Sequence, residues 1–189
     1  MSSTATFTID EYERMIACGA FAGPNAKRLE LIRGELRMMS PQGAAHCELV
    51  SQLNSWSHDV VDREQIKIRI QSSVEIPQLD SQPEPDIVWA DAKSYAQRRP
   101  QPREILLLVE VADSSLAFDL GEKCQLYCNA RIRDYWVVDI PGRILHVFRD
   151  PRPNGYQTRD RFSAYDEVAP LQWDRAKLSV ADLYACLAE

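Results

Sequence analysis

The chain has 189 residues, 45% of them hydrophobic and 26% charged, which fits one globular domain whose core needs no disulfide or metal staple. Its 22 basic and 28 acidic residues leave a net charge of −6, an argument against tight non-specific binding to nucleic acid, which depends on neutralising phosphates. The longest apolar stretch, Ile105 to Val109, is far too short to span a bilayer, and Met1-Ser2-Ser3-Thr4 has neither the basic nor the apolar part of a secretory leader.

Thr8-Ile9-Asp10-Glu11 reads as a capping box, opening a helix over 8–18 with Ile9, Tyr12, Met15 and Ile16 at helical spacing. Gly19 ends it, and Gly23-Pro24-Asn25 forms a loop. Leu29–Ile32 and Leu36–Met39 flank Arg33-Gly34-Glu35 as a short hairpin. After Pro41 and Gly43 a helix is predicted from about Ala45 to Val61, with Leu49, Leu53, Trp56 and Val60 on one face. Ile66, Ile68 and Ile70 alternate with Lys67, Arg69 and Gln71, and the pattern predicts a half-buried strand that continues to Val74 and Ile76 across a bulge at Ser72-Ser73. Leu79–Pro85 is a loop, Asp86–Trp89 a short strand, and Ala92–Pro102 an exposed connection carrying Arg98 and Arg99.

Glu104–Ala112 reads as a central strand covered on both faces. Ser114 or Ser115 caps a helix from about Phe118 to Asn129, on which Cys124 and Cys128 face the core as small hydrophobes. Tyr135–Asp139 and Ile144–Arg149 are strands joined by Ile140-Pro141-Gly142-Arg143; Tyr156–Arg161 is a weaker strand, and Val180–Leu187 a terminal helix capped by Ser179. Five cysteines without a Cys-x-x-Cys spacing disfavour a zinc site and point to a reducing cytoplasm. The order of elements implies a single α/β domain with a mixed sheet over 1–189, its core at about 29–149 and a strand and helix over 156–188.

Two acids stand out. Glu110 lies inside the most apolar strand, where a carboxylate is costly unless paired, protonated or bound to a cation; alternatively it meets a base where the chain surfaces. Asp86 opens a short strand after Pro85, a position equally suited to a turn residue. On neighbouring strands the two carboxylates would converge at one sheet edge, a donor set suited to Mg²⁺. Asp119, Lys123 and Tyr127 share a helix face. Asp119 and Lys123 make either an ordinary exposed ion pair or a means of aiming Lys123 at Glu110.

The residues Glu30–Leu36, Ser40-Pro41 with His46, Pro85–Val88, Leu108–Ser115, Asp119, Lys123, Tyr127 and Asp134–Asp139 together resemble the PD-(D/E)XK nuclease superfamily and, within it, the Uma-type endonuclease family. The resemblance runs from about Leu29 to Arg149. It implies a restriction-endonuclease-like fold, α/β with a mixed central sheet flanked by helices, in which Asp86 and Glu110 bind Mg²⁺ (or Mn²⁺). The superfamily's lysine position, two residues after the second acid, is Ala112 here, and the resemblance transfers that role to Lys123. It further implies metal-dependent phosphodiester hydrolysis, DNA as partner, and a homodimer by analogy. His46 is then a candidate for the metal shell or a phosphate, and otherwise a helix-start or core histidine. Glu30 is a candidate outer carboxylate, and otherwise a surface or hairpin charge. Tyr127 braces Lys123 or packs. DNA binding would need a basic stripe drawn from Lys67, Arg69, Arg98, Arg99, Arg103, Arg131 and Arg133. The competing function is a catalytically inactive binding or assembly module on the same fold.

Overall fold

Thr8 opens the first regular element. In the computed structural model, which describes residues 4–23, 26 and 28–187, Thr8 Oγ1 accepts from Glu11 N–H while the Glu11 carboxylate takes the Thr8 N–H at 2.8 Å. This capping box starts α1 (Ile9–Ala17), and Gly19 follows in left-handed conformation, as predicted. The predicted loop at Pro24-Asn25 and Ala188 of the predicted terminal segment lie outside the described residues.

Strands β1 (Leu29–Ile32) and β2 (Glu35–Met38) pair antiparallel around Arg33-Gly34, whose φ values of 51° and 78° suit a tight two-residue hairpin turn. Glycine is required at 34: a Cβ there would lie 2.9 Å from Thr6 Cβ. Helix α2 (Ala44–Val60) buries Leu49 and Leu53, and Trp56 stacks on Trp89 with ring centroids 5.1 Å apart.

Six strands form the main sheet in the order β3-β4-β5-β6-β7-β8: β3 (Ile66–Ile70), β4 (Ile87–Asp91), β5 (Ile105–Ala112), β6 (Asp134–Asp139), β7 (Ile144–Arg152) and β8 (Gly155–Phe162). β5 and β6 run parallel, and the helical crossover between them is what a parallel pair requires; the other neighbours are antiparallel. The crossover comprises α3 (Leu116–Phe118), a π-helical stretch (Asp119–Lys123) and α4 (Cys124–Asn129), one after another.

The apolar run of β5 faces two cores because residues alternate across a strand. Leu107, Val109 and Val111 pack with α2, while Leu108 and Ala112 pack with Cys124, Leu126 and Tyr127 of the crossover. The predicted burial of Cys124 and Cys128 holds. Short strands β9 (Glu167–Val168) and β10 (Leu178–Ser179) pair with each other, and α5 (Val180–Ala185) closes the first core, capped by Ser179 as predicted. Fully buried Asp134 fastens this C-terminal part to the sheet, accepting from Arg149 Nε (2.8 Å), Trp136 Nε1 (2.8 Å) and Leu171 N (2.6 Å).

Two local expectations need correction. β3 does not continue through a bulge to Val74 and Ile76. It stops at Gln71, whose φ of 44° turns the chain, so Val74 and Ile76 enter the second core from a loop. Ser115, one of the two predicted caps, does stand at the N-cap of the crossover helix, but its hydroxyl makes no capping bond: Ser115 Oγ donates to the Asp119 carboxylate at 2.6 Å instead. Among the described residues, no helix is long and apolar enough to cross a membrane.

Candidate active site

The sheet register brings the two predicted acids together. β3 pairs Ile70 with Ile87, and β4 pairs Ile87 with Val109. One step further, Gln71 N–H donates to Asp86 O at 2.9 Å, and Val111 N–H donates to Asp86 Oδ2 at 2.8 Å. Gln71, Asp86 and Glu110 therefore form a row across three strands, on the face covered by the crossover helix. β4 begins only at Ile87, just after this row, while β5 continues, so Glu110 pairs with Val137 of β6 on one side and borders a gap on the other.

That gap is a cavity of about 340 Å³ between the sheet, the crossover helix, the hairpin and the start of α2. Glu30, Asp86, Glu110, Asp119 and Lys123 are all buried at its wall. Lys123 Nζ lies 3.1 Å from Glu110 Oε1, 3.2 Å from Glu30 Oε2 and 3.9 Å from Asp119 Oδ1. Tyr127 donates to the same Glu110 oxygen at 2.7 Å, so it braces Glu110 rather than Lys123. His46 Nε2 is 3.2 Å from Asp86 Oδ2, and Gln71 Nε2 reaches Asp86 Oδ1 at 3.3 Å. The other His46 nitrogen, Nδ1, is buried without a partner among the described residues.

Every candidate residue read from the sequence thus lines this cavity or touches its wall. The exposed ion-pair reading of Asp119 and Lys123 and the surface reading of Glu30 both give way to buried contacts. Three partners had no signal in the acid-and-lysine pattern: Gln71, the Glu84 N–H that donates to Glu30 at 3.2 Å, and Arg37, which spans Glu35 (2.9 Å) and Glu122 (3.0 Å) at the rim. Gln71 was detectable as the next outward position after Lys67 and Arg69.

Negative charge is in surplus here. Burial pushes the Glu110 carboxyl well above the usual carboxylate range, against the pull of Lys123, and the neighbouring acids push the same way. Asp119 rises to about 6, again chiefly through burial. Burial disfavours the Lys123 ammonium, but Glu110, Glu30 and Asp119 outweigh it and hold its proton more tightly than usual. Of four buried carboxylates three share one lysine and Asp86 does not touch it, a balance that suits a further cation. Two neighbouring carboxylates are the usual protein share of a Mg²⁺ site, whose other positions go to water and substrate oxygen. Among the described residues, no three His, Cys, Asp or Glu side chains form a closed metal cage.

The predicted basic stripe does not form on one face. Arg69, Arg98 and Arg99 gather round Tyr95 in a cleft beside the cavity. Arg131 instead binds Pro151 O, at the far side of the sheet, and Arg103 is exposed in the turn Pro102–Glu104.

Comparison with known proteins gives two similarities. The Uma2 family, described as "Putative restriction endonuclease", matches residues 9–180. A crystal structure from Anabaena variabilis ATCC 29413, described as "a putative nuclease belonging to DUF820", has a TM-score of 0.77 at 15% sequence identity, covering 96% of this chain and 99% of that one. At that identity the likeness carries the fold alone, and it agrees with the nuclease-like α/β architecture expected from the sequence. No curated protein matches.

Proposed function

The chain belongs to the Uma2 family, and from that premise we propose that it is a divalent-metal-dependent DNA endonuclease with its reaction centre at Asp86, Glu110 and Lys123. The observation that carries this reading is the row of Asp86 and Glu110 across adjacent strands, with Lys123 Nζ 3.1 Å from Glu110 at the cavity wall. Asp86 and Glu110 would hold Mg²⁺ or Mn²⁺, which supplies a polarised phosphoryl group and a water of lowered pKa.

The protein's own groups do the rest. Lys123, kept charged by three carboxylates, offsets negative charge developing on the phosphate. Tyr127 fixes the rotamer of Glu110, and Val111 N–H with Gln71 fixes that of Asp86. His46 orients Asp86 from the start of α2 and leaves Nδ1 as its second polar atom. Lysine delivery from a helix replaces the superfamily's strand position, where Ala112 is buried in the second core.

Supercoiled plasmid incubated with Mg²⁺ or Mn²⁺ tests the reading. Nicking that requires the metal and disappears in Glu110→Ala supports it. Equal activity in both proteins places the chemistry elsewhere. One observation favours the second reading, a non-catalytic module: Lys123 and Tyr127 already occupy Glu110 Oε1. Calorimetric titration with Mn²⁺ separates the two, since saturable binding lost in Asp86→Ala contradicts the module reading. A homodimer remains part of the proposal and is checked by sedimentation.

A further inference from the structure

Beside the acidic cavity lies a cleft of about 530 Å³ with the opposite character, and both are lined by Glu84. Its centre is Tyr95. Arg69, Lys93 and Arg98 place their charged groups 5.6, 5.7 and 5.9 Å from its ring centroid, within cation–π range. Arg98 and Lys93 are both committed to Glu104. Arg99 is held by Glu13 at 2.7 Å and by Ser73 Oγ at 2.7 Å.

Arg69 is different. Among the described residues it has no carboxylate partner, and its Nε is buried without a hydrogen bond; the Tyr95 hydroxyl is likewise buried and unpartnered. A guanidinium nitrogen and a hydroxyl buried without partners at one cleft cost stability unless something else satisfies them. Arg69 also sits in register with the cavity. It lies on β3 two residues before Gln71, which stands just past the strand's end and is still bonded to Asp86 O, a spacing of roughly 7 Å. Gln71 is in turn bonded to Asp86.

We propose that this cleft is a second anion site, in which Arg69 and the Tyr95 hydroxyl hold a backbone phosphate of the nucleic-acid strand whose neighbouring phosphate lies in the acidic cavity. The proposal rests on the nuclease reading and deepens it. Arg98 and Arg99, already paired, shape the cleft, and Lys93 backs the same tyrosine ring that Arg69 meets. The division of labour also reconciles a chain of net charge −6 with a polyanionic substrate: one local cleft grips, and the cavity awaits a cation.

Fluorescence anisotropy of labelled duplex DNA with the full chain in Ca²⁺, across a KCl series, is the test. Arg69→Met weakens binding about tenfold or more, as loss of a charge-assisted hydrogen bond should, and lowers the salt slope by about one phosphate. Arg69→Lys keeps the slope, and Tyr95→Phe gives a smaller loss. A thermal melt confirms that each variant folds. Arg69→Met binding within about twofold of wild type, with an unchanged slope, overturns the site while leaving the nuclease reading intact. A wild-type protein that binds no DNA overturns both. A wild-type protein that binds but does not cleave contradicts the nuclease chemistry alone, and the Arg69 variants still decide the cleft.

Discussion

The acidic cavity and the Tyr95 cleft lie side by side on one sheet and treat charge in opposite ways. In the cavity three of four carboxylates crowd one lysine, and burial drives Glu110 and Asp119 toward their protonated forms. Behind the cleft the guanidinium of Arg98, followed by Lys93, holds Glu104 down to about 2 despite partial burial. That acid is satisfied by the bases around the cleft, whereas the cavity's acids are not. Unmet electrostatic demand therefore marks the place for a missing ligand better than the number of charges does.

The largest effect should come from removing the cavity's internal cation. Lys123→Met leaves three buried carboxylates without their partner and is expected to cost about 3–5 kcal/mol in denaturant unfolding, part of it recovered on adding Mg²⁺. A loss below about 1 kcal/mol would mean that the carboxylates are already neutral. Next, Asp86→Asn should slow plasmid cleavage about 10²–10³-fold. Because it removes a negative charge, DNA binding in metal-free buffer should not fall; weaker binding there would place the grip in the cavity and erase the contrast between the two regions.

The pH dependence is smaller. Asp119 titrates near 6 in the folded chain against 3.8 as its ordinary value, so the folded state holds more protons between those pH values. This contribution is favourable at low pH and is lost as pH rises through about 6, at no more than about 1.4 kcal/mol per pH unit. Metal-free melts at pH 4.5 and 6.5, compared with Asp119→Asn, isolate it; the variant should lose that slope. Glu104 works in the other sense: its stabilisation is present above its ordinary value and fades as pH falls toward 2. With two long, partly exposed partners, Glu104→Gln should lower Tm by no more than about 2 °C at pH 7 and leave cleavage unchanged.

What the sequence disclosed follows from the range of the forces involved. The Thr8 box, the Arg33-Gly34 turn and the two-faced β5 are local, and each appears where its residues predict it. The pairing of Asp86 with Glu110 was legible only on the condition that their strands are neighbours, which the register of β4 and β5 meets. Lys123 was legible through the family resemblance, since helix spacing alone left it an ordinary surface pair. Long-range events were not legible. Nothing local announces that Gln71 leaves the strand with a positive φ, which sends Val74 and Ile76 to the second core. Nor does residue type separate Arg69, left open beside Tyr95, from Arg131, consumed by a carbonyl on the far side of the sheet.

The π-helical stretch Asp119–Lys123 carries a consequence for how this site can be inherited. A π turn accommodates one residue more than an α turn, and here it lies between the crossover's first residues and its lysine. Relaxing that stretch to α-helix at unchanged length would swing every later side chain by about 100°, carrying the ammonium of Lys123 off Glu110 while leaving the six strands untouched. Removing one residue ahead of Lys123 as the turn relaxes keeps the helix in phase, so the number of residues between Glu110 and Lys123 is free to differ by one while the ammonium keeps its place. A motif written as a fixed spacing from the acid to the lysine therefore passes over chains that hold the same geometry.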